Sequence, residues 1–112
     1  MRKIIYYKNY FIDFYVTLTK KQQEKVKYIL EIVGNSPIIP AKNFSNIVNS
    51  EGIYEIRIEF ESNIYRILCF FDKGNLVILA NGFQKKSQKT PKNEIDRAEK
   101  IRKEYFSEIQ KK

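Results

Sequence analysis

Three consecutive apolar runs in the second half of the chain constrain the fold most strongly. Residues 53–60 read IYEIRIEF, in which apolar and charged side chains alternate with the period of a strand that has one wet face. Residues 63–71 read NIYRILCFF, and this nearly unbroken apolar run predicts a central strand covered on both sides. The DKGN stretch at 72–75 is a turn signal before a third run at 76–83. The three runs predict an antiparallel meander.

The flanking segments predict one more strand and three helices. Residues 3–7, KIIYY, have the composition of a short strand. Apolar side chains then recur at helical spacing across 10–18 and again across 26–33, which predicts two helices as a hairpin. Residues 34–52 hold two of the three prolines and two of the four glycines and are predicted as a loop. Pro91 opens a last amphipathic helix.

This order, β-αα-βββ-α, predicts an α+β fold. A chain of 112 residues has the size of one domain, so a single domain over 1–112 is expected. The pattern predicts a small twisted antiparallel sheet with the helices on one face and the other face open. Such an open face could accept an extended polymer.

The charge balance and the missing residue types narrow the function. The chain has 21 Lys+Arg against 13 Asp+Glu, a net charge of +8, which makes nucleic acid the first partner to test. It has no histidine, and Cys69 is its one cysteine, so we expect no disulfide, no metal and no cofactor. Lys8 and Asp13 interrupt the apolar start before it reaches the length of a membrane span. We expect a cytoplasmic protein without membrane association.

Arg66 is the sharpest single signal, because a guanidinium in the middle of an apolar strand costs desolvation unless an anion meets it. That anion is either a ligand or a carboxylate of the neighbouring strand, and Glu55, Glu59 and Glu61 are the candidates. The sequence leaves both possibilities open. For Arg57 a salt bridge is favoured more strongly than for Arg66, because Glu55 and Glu59 flank Arg57 on the same face.

Lysines concentrate after the third strand, in the stretch NGFQKKSQKTPKNEI. Residues 84–112 carry ten basic and five acidic side chains, which gives them +5 of the total charge. A solvated connection explains such a run by itself. However, the stretch joins a buried strand to a helix start, and a localised positive field is what phosphate binding uses. The candidate lysines are Lys85, Lys86, Lys89 and Lys92.

Aromatic side chains lie near these charges in the predicted layout, and aromatic faces beside cations can hold single-stranded bases. The candidates are Tyr54, Tyr65, Phe83 and Tyr105. With 8 Tyr and 8 Phe in the chain, most aromatic residues must be core, so only one or two of these four are expected at a ligand.

The segments IYEIRIE, YRILCFF, VILANGFQKKSQKTP and EIDRAEKIRKEY resemble the bacterial RelE/ParE toxin superfamily, specifically its HigB-like, phage-derived branch. The resemblance covers nearly the whole chain. It implies a RelE-like microbial ribonuclease architecture and the toxin of a type II toxin–antitoxin system. Its activity would be ribosome-dependent endonucleolytic cleavage of mRNA, and its partner a co-encoded antitoxin, expected to be a helix-turn-helix protein encoded next to it.

The chemistry of RNA cleavage suggests roles for the residues that carry this resemblance. Cleavage of RNA by its own 2′-hydroxyl needs a base, an acid and cations for the phosphate, and no metal. Without histidine, the proton transfers would fall to a lysine whose pKa is lowered by neighbouring cations. The predicted catalytic residues are Arg66, Lys85 and Lys86. The predicted RNA-binding residues are Arg57, Phe83, Lys89, Lys92 and Tyr105.

Two other functions stay open. A ParE-like toxin would bind DNA gyrase without being an enzyme, although Arg66 and the dense lysines argue against that function. A phage-derived nucleic-acid-binding protein would have no toxicity. A gyrase supercoiling assay separates the first alternative from an RNase, and a small helix-turn-helix reading frame next to the gene would argue against the second.

Overall fold

The structure is a computed structural model and describes residues 1–85 and 89–110. Its secondary-structure elements, in chain order, are β1 (Lys3–Tyr6), α1 (Tyr10–Tyr15), α2 (Lys20–Asn35), β2 (Phe44–Asn46), β3 (Tyr54–Phe60), β4 (Asn63–Phe71), β5 (Leu76–Lys85) and α3 (Lys92–Gln110). The predicted α+β fold class is confirmed, and the three predicted meander strands are β3, β4 and β5. Among the described residues, no helix is long and apolar enough to cross a membrane.

Local sequence explains where the elements begin and turn. Thr19 caps α2 with a capping box, in which the Thr19 hydroxyl accepts from the Gln22 N–H and the Gln22 side chain accepts from the Thr19 N–H. Glu61 and Ser62 both have positive φ, 48° and 67°, as a two-residue hairpin between β3 and β4 requires. Gly82 is needed on β5, because a Cβ there would lie 2.4 Å from the ring of Phe14.

The sheet has five strands among the described residues, in the order β1-β5-β4-β3-β2. The expected all-antiparallel sheet is wrong in one respect, because β1 pairs with β5 in parallel, from Lys3 opposite Leu76 to Tyr6 opposite Leu79. Helices α1 and α2 follow β1 and bring the chain back to the end of the sheet at which β1 begins. As a result, β1 and β5 run in the same direction. The predicted loop at 34–52 also contains β2, which is too short to show a period in the sequence.

The helices lie on both faces of the sheet, so the expectation of helices on one face is wrong. One core cluster joins α1 and α2 to alternate residues of the sheet such as Ile56, Ile67 and Leu79. The second cluster joins α3 to the sheet residues that alternate with these and face the other way, including Leu68 and Phe70. The physical reason is β4 itself, since a strand that is apolar at successive positions must be covered on both faces.

Candidate nucleic-acid interface

Helix α3 covers only part of its face of the sheet. It packs on Leu68, Phe70, Ile78 and Ala80, which lie toward the hairpin that joins β4 and β5. Farther along the same face, the strand register sets Arg57 of β3 and Phe83 of β5 on the two sides of Arg66. Lys85 follows on β5, opposite Ile64. We call Glu55, Arg57, Arg66, Phe83 and Lys85 the open end of the sheet.

Arg66 is buried, with 8% of its surface exposed, and it forms a salt bridge with the buried carboxylate of Glu55. The same Nη1 atom donates to Thr90 Oγ1 at 2.9 Å, and the Thr90 hydroxyl in turn donates to Glu55. The salt-bridge alternative is therefore confirmed, with Glu55 as the partner. It does not use all of the guanidinium, because the buried Arg66 Nε has no hydrogen-bond partner in the described part of the chain.

Positive charge exceeds negative charge around Arg66. Arg57 lies directly across from Arg66 in the register, and like charges in that position destabilise a sheet. Its own ion pair, from Nη2 to Glu59 Oε1 at 3.2 Å, involves a largely exposed carboxylate and therefore compensates weakly. The pKa of Lys85 is lowered, first by burial and then by the positive charges of Arg66 and Arg57, while Glu55 opposes the shift. The direction of that shift is the one predicted for a proton-transfer lysine, although burial contributes more to it than the neighbouring cations.

A cleft of about 500 Å³ opens over the Arg66–Glu55 pair. The β2 segment forms one wall, and the residues that precede and begin α3 form the other. Its lining residues are Ser45, Asn46, Ile47, Val48, Glu55, Arg66, Lys89, Thr90 and Ile95. The volume falls within the range of small-ligand sites in proteins. Sequence reasoning missed Thr90 and the β2 wall, and it treated Glu55 only as a possible ion-pair partner. The Thr-Pro step before a helix was the available signal for Thr90.

Tyr105 does not lie at the open end. It lies on α3 and is buried against the sheet with 8% exposure, and its hydroxyl donates to Asp72 Oδ2 at 2.7 Å. Burial and, after it, the bond to Asp72 raise the pKa of Tyr105 to about 12. Asp72 follows β4 at the hairpin end, six residues from Arg66 and hence roughly 20 Å away along an extended strand. The expected RNA contact of Tyr105 has no support in this geometry, because apolar spacing on α3 placed it in the core.

The other predicted aromatic residues divide between the two faces. Tyr65 lies under α2, where its hydroxyl accepts from Gln22 at 2.8 Å. Tyr54 packs against Phe44 and Phe71 on that same face. Of the four candidates, the structure places only Phe83 beside Arg66. It is half-buried, so part of its ring is accessible.

The predicted lysines also separate. Lys85 lies at the open end and Lys89 lines the cleft. Lys92 is on the first turn of α3 and pairs with Asp96 at 3.1 Å, which is the i,i+4 contact of an exposed helix face. Lys86 lies outside the described residues. No group of three or more metal-ligating side chains occurs in the part of the chain that the structure describes.

The fold is a small RelE-like α+β domain with a cationic site at one end of its sheet. Residues 13–103 match the family described as "Phage derived protein Gp49-like (DUF891)", so most of the chain belongs to that family. The family is associated with RelE/toxin-type proteins. A comparison with curated proteins found no match.

Proposed function

We propose that this chain is the toxin of a type II toxin–antitoxin system, of the HigB-like branch, and that it cleaves mRNA bound to the ribosome without a metal. The observation that carries the proposal is Arg66, a guanidinium that lines a cleft and lies beside the positive charges of Arg57 and Lys85. The Glu55 salt bridge fixes the Arg66 side chain, so its positive charge is held at the wall of the cleft, where a phosphate can approach it.

The open end supplies cations for the phosphate and a lysine that can act as a base. The RNA 2′-oxygen attacks phosphorus as its proton passes to a base, and the 5′-oxygen leaves with a proton, which gives a 2′,3′-cyclic phosphate and a 5′-hydroxyl. Arg66 and Arg57 stabilise the charge on the pentacoordinate phosphorus. Lys85 serves as the base in its neutral form, which its lowered pKa makes more accessible. Phe83 stacks on a neighbouring base. Lys86 stays a predicted catalytic lysine.

The residues of the open end support dependence on the ribosome. A lysine base with no histidine beside it is a modest catalyst at neutral pH, so alignment of the RNA has to supply much of the rate. Positioning of reacting groups can contribute roughly 7–11 kcal/mol to a barrier. The ribosome provides that alignment by holding the message in an extended form. An acidic or amphipathic antitoxin that covers the open end would block access, and both partners would meet in the cytoplasm.

The decisive variant is Arg66→Lys, which keeps a positive charge against Glu55 but loses the guanidinium fork. Induced alone in a bacterial host, the wild-type chain should arrest growth and cut a translated message, and primer extension should show no cuts when the start codon is removed. Arg66→Lys should lose at least tenfold of the cutting. Arg97→Lys, the same change on the exposed face of α3, should behave as wild type.

Two results would contradict the proposal. Equal cutting of purified RNA with and without ribosomes would refute ribosome dependence. Growth arrest with intact messages and with inhibited gyrase supercoiling would favour the ParE-like alternative.

A further inference from the structure

A second basic cleft, of about 520 Å³, lies where α2 and the segment before β2 meet the outer edge of β3. Its polar and aromatic lining consists of Lys25, Tyr28, Lys42, Asn43, Arg57 and Glu59. This cleft is separate from the one over Arg66, and the two have different walls. Of the residues that line this second cleft, only Arg57 has a role in the proposed function.

The cleft is held in shape by hydrogen bonds between Asn43 and Arg57. Asn43 is 7% exposed, and its side chain donates to the backbone oxygen of Arg57 at 3.2 Å. The Arg57 N–H donates to the backbone oxygen of Asn43 at 2.9 Å. These bonds tie the segment that carries Lys42 to β3, so the position of Lys42 beside the strand is fixed by the fold.

Charge and aromatic surface are combined in this cleft. Tyr28 is 57% exposed, and the Lys25 ammonium lies 5.5 Å from the centre of its ring. Lys42 is exposed and has no ion-pair partner in the described part of the chain. Glu59 is the carboxylate of the lining, and it already pairs with Arg57. A largely exposed ring beside two lysines is an arrangement that can hold a base and its phosphate.

Arg57 connects this cleft with the candidate active site, because it lines the former and lies directly opposite Arg66. We propose that the second cleft is a subsite for single-stranded RNA, which binds a nucleotide beyond the one at Arg66. The base stacks on Tyr28, and Lys42 and Lys25 contact the phosphate. This inference rests on the proposed function and extends its RNA path around the edge of β3.

The test is fluorescence anisotropy of the purified chain with 2′-O-methyl oligouridines, which lack the attacking hydroxyl. A 12-mer spans both clefts and a 3-mer spans one. Tyr28→Ala should weaken binding of the 12-mer roughly fivefold or more, as expected for loss of one stacked base. Lys42→Ala should reduce the salt dependence of 12-mer binding by about 0.7 in log–log slope, the value for one phosphate contact on a single strand. Neither change should affect the 3-mer more than twofold.

Matched controls are available elsewhere in the chain. Tyr6 is also 57% exposed but lies on β1, at the opposite edge of the sheet. Lys73 is exposed in the hairpin between β4 and β5. Tyr6→Ala and Lys73→Ala should bind the 12-mer within twofold of wild type.

The outcomes separate the subsite from the proposed function. If Tyr28→Ala and Lys42→Ala bind the 12-mer as wild type does while Arg66→Lys binds weakly, the subsite is wrong and the function stands. If free RNA binds too weakly to measure, cutting rates of the same variants on translated message decide, and equal rates for Tyr28→Ala and Tyr6→Ala overturn the subsite. Failure of the wild-type chain to cut any message refutes the function and the subsite together.

Discussion

The face of the sheet under α3 has two halves with opposite chemistry. The covered half consists of Leu68, Phe70, Ile78 and Ala80, which are fully buried against α3. The open end lies on the same strands and the same face, yet it carries charged side chains, among them a buried ion pair. The difference comes from the path of α3, which crosses one half of the strands and leaves the other half to the cleft.

The two halves contribute differently to stability. Burial of apolar surface under α3 is favourable throughout the covered half. At the open end, desolvation of the Arg66–Glu55 pair and the opposition of Arg57 to Arg66 cost free energy. The site therefore depends on the covered half for its rigidity, and changes in the two halves should have separable effects.

The largest expected effect on stability is in the covered half. Phe70→Ala removes a fully buried ring that packs against Tyr105 and Phe106, and it should lower the free energy of unfolding by about 3–5 kcal/mol. Urea denaturation measures it. The variant should still cut message under conditions in which it is folded. Loss of cutting by fully folded protein would show that the two halves are not separable.

The next effect concerns the buried ion pair. Arg66→Ala leaves the Glu55 carboxylate buried without its charge partner and should cost about 3 kcal/mol. The double variant Arg66→Met with Glu55→Leu removes both charges and should recover most of that stability, while cutting of translated message stays absent. A double variant that regains cutting together with its melting temperature would mean that Arg66 has only a structural role.

A smaller effect is expected at Tyr105. Tyr105→Phe removes the hydrogen bond to Asp72 and should cost about 1 kcal/mol, with no change in message cutting. Because the folded-state pKa of Tyr105 is raised from 10.0 to about 12, its stabilising contribution is complete below pH 10 and is lost as the pH rises through 12. The difference between wild type and variant should therefore shrink over that interval. Reduced cutting by a stable Tyr105→Phe chain would support the RNA contact that the sequence predicted.

The smallest stability effect is expected at Lys85. Lys85→Met keeps much of the side-chain stem but removes the charge, and it should strongly reduce cutting. Since the pKa of Lys85 is lowered in the folded state, the unfolded chain binds its proton more tightly, and the charge destabilises the fold at neutral pH. The variant should melt slightly above wild type at pH 7, and the gap should close as the pH rises toward 10.5 and beyond. A variant that melts below wild type at pH 7 would contradict this electrostatic picture.

The meander was predictable from sequence because its strands show period-two alternation or continuous apolarity over seven or more residues. Strand β2 was not predictable, since three residues, Phe44–Asn46, cannot display a period. The direction of β1 was also not predictable, because the sequence of a four-residue strand does not indicate whether it pairs in parallel or antiparallel with its neighbour.

Prediction of the site followed the same division. Arg57 and Arg66 lie on regular strands, so their pairing follows from the hairpin between β3 and β4. The pairing of Arg66 with Phe83 does not, because the register of β4 and β5 shifts between Ile67 and Cys69. Lys85 lies on β5, which extends two residues beyond the strand predicted at 76–83. Thr90 reaches the ion pair from a connecting segment, whose path the sequence does not encode as a pattern. The sequence identifies the apolar stripe of α3 to which Tyr105 belongs, but it does not show which part of the sheet that stripe covers. The predicted position of Tyr105 near the charges was therefore not supported.

The parallel pairing of β1 with β5 also sets an order of events in folding. Lys3 can find its place only after Leu76 has been synthesised, so β1 has no strand partner while the intervening segments emerge. Contacts so distant along the chain are slow to form, because the entropy of closing a long loop precedes any gain from pairing. Residues that flank the open end belong to β3, β4 and β5, and the last of them follows Leu76. A newly made chain thus acquires its edge strand and its candidate active site at nearly the same moment of synthesis.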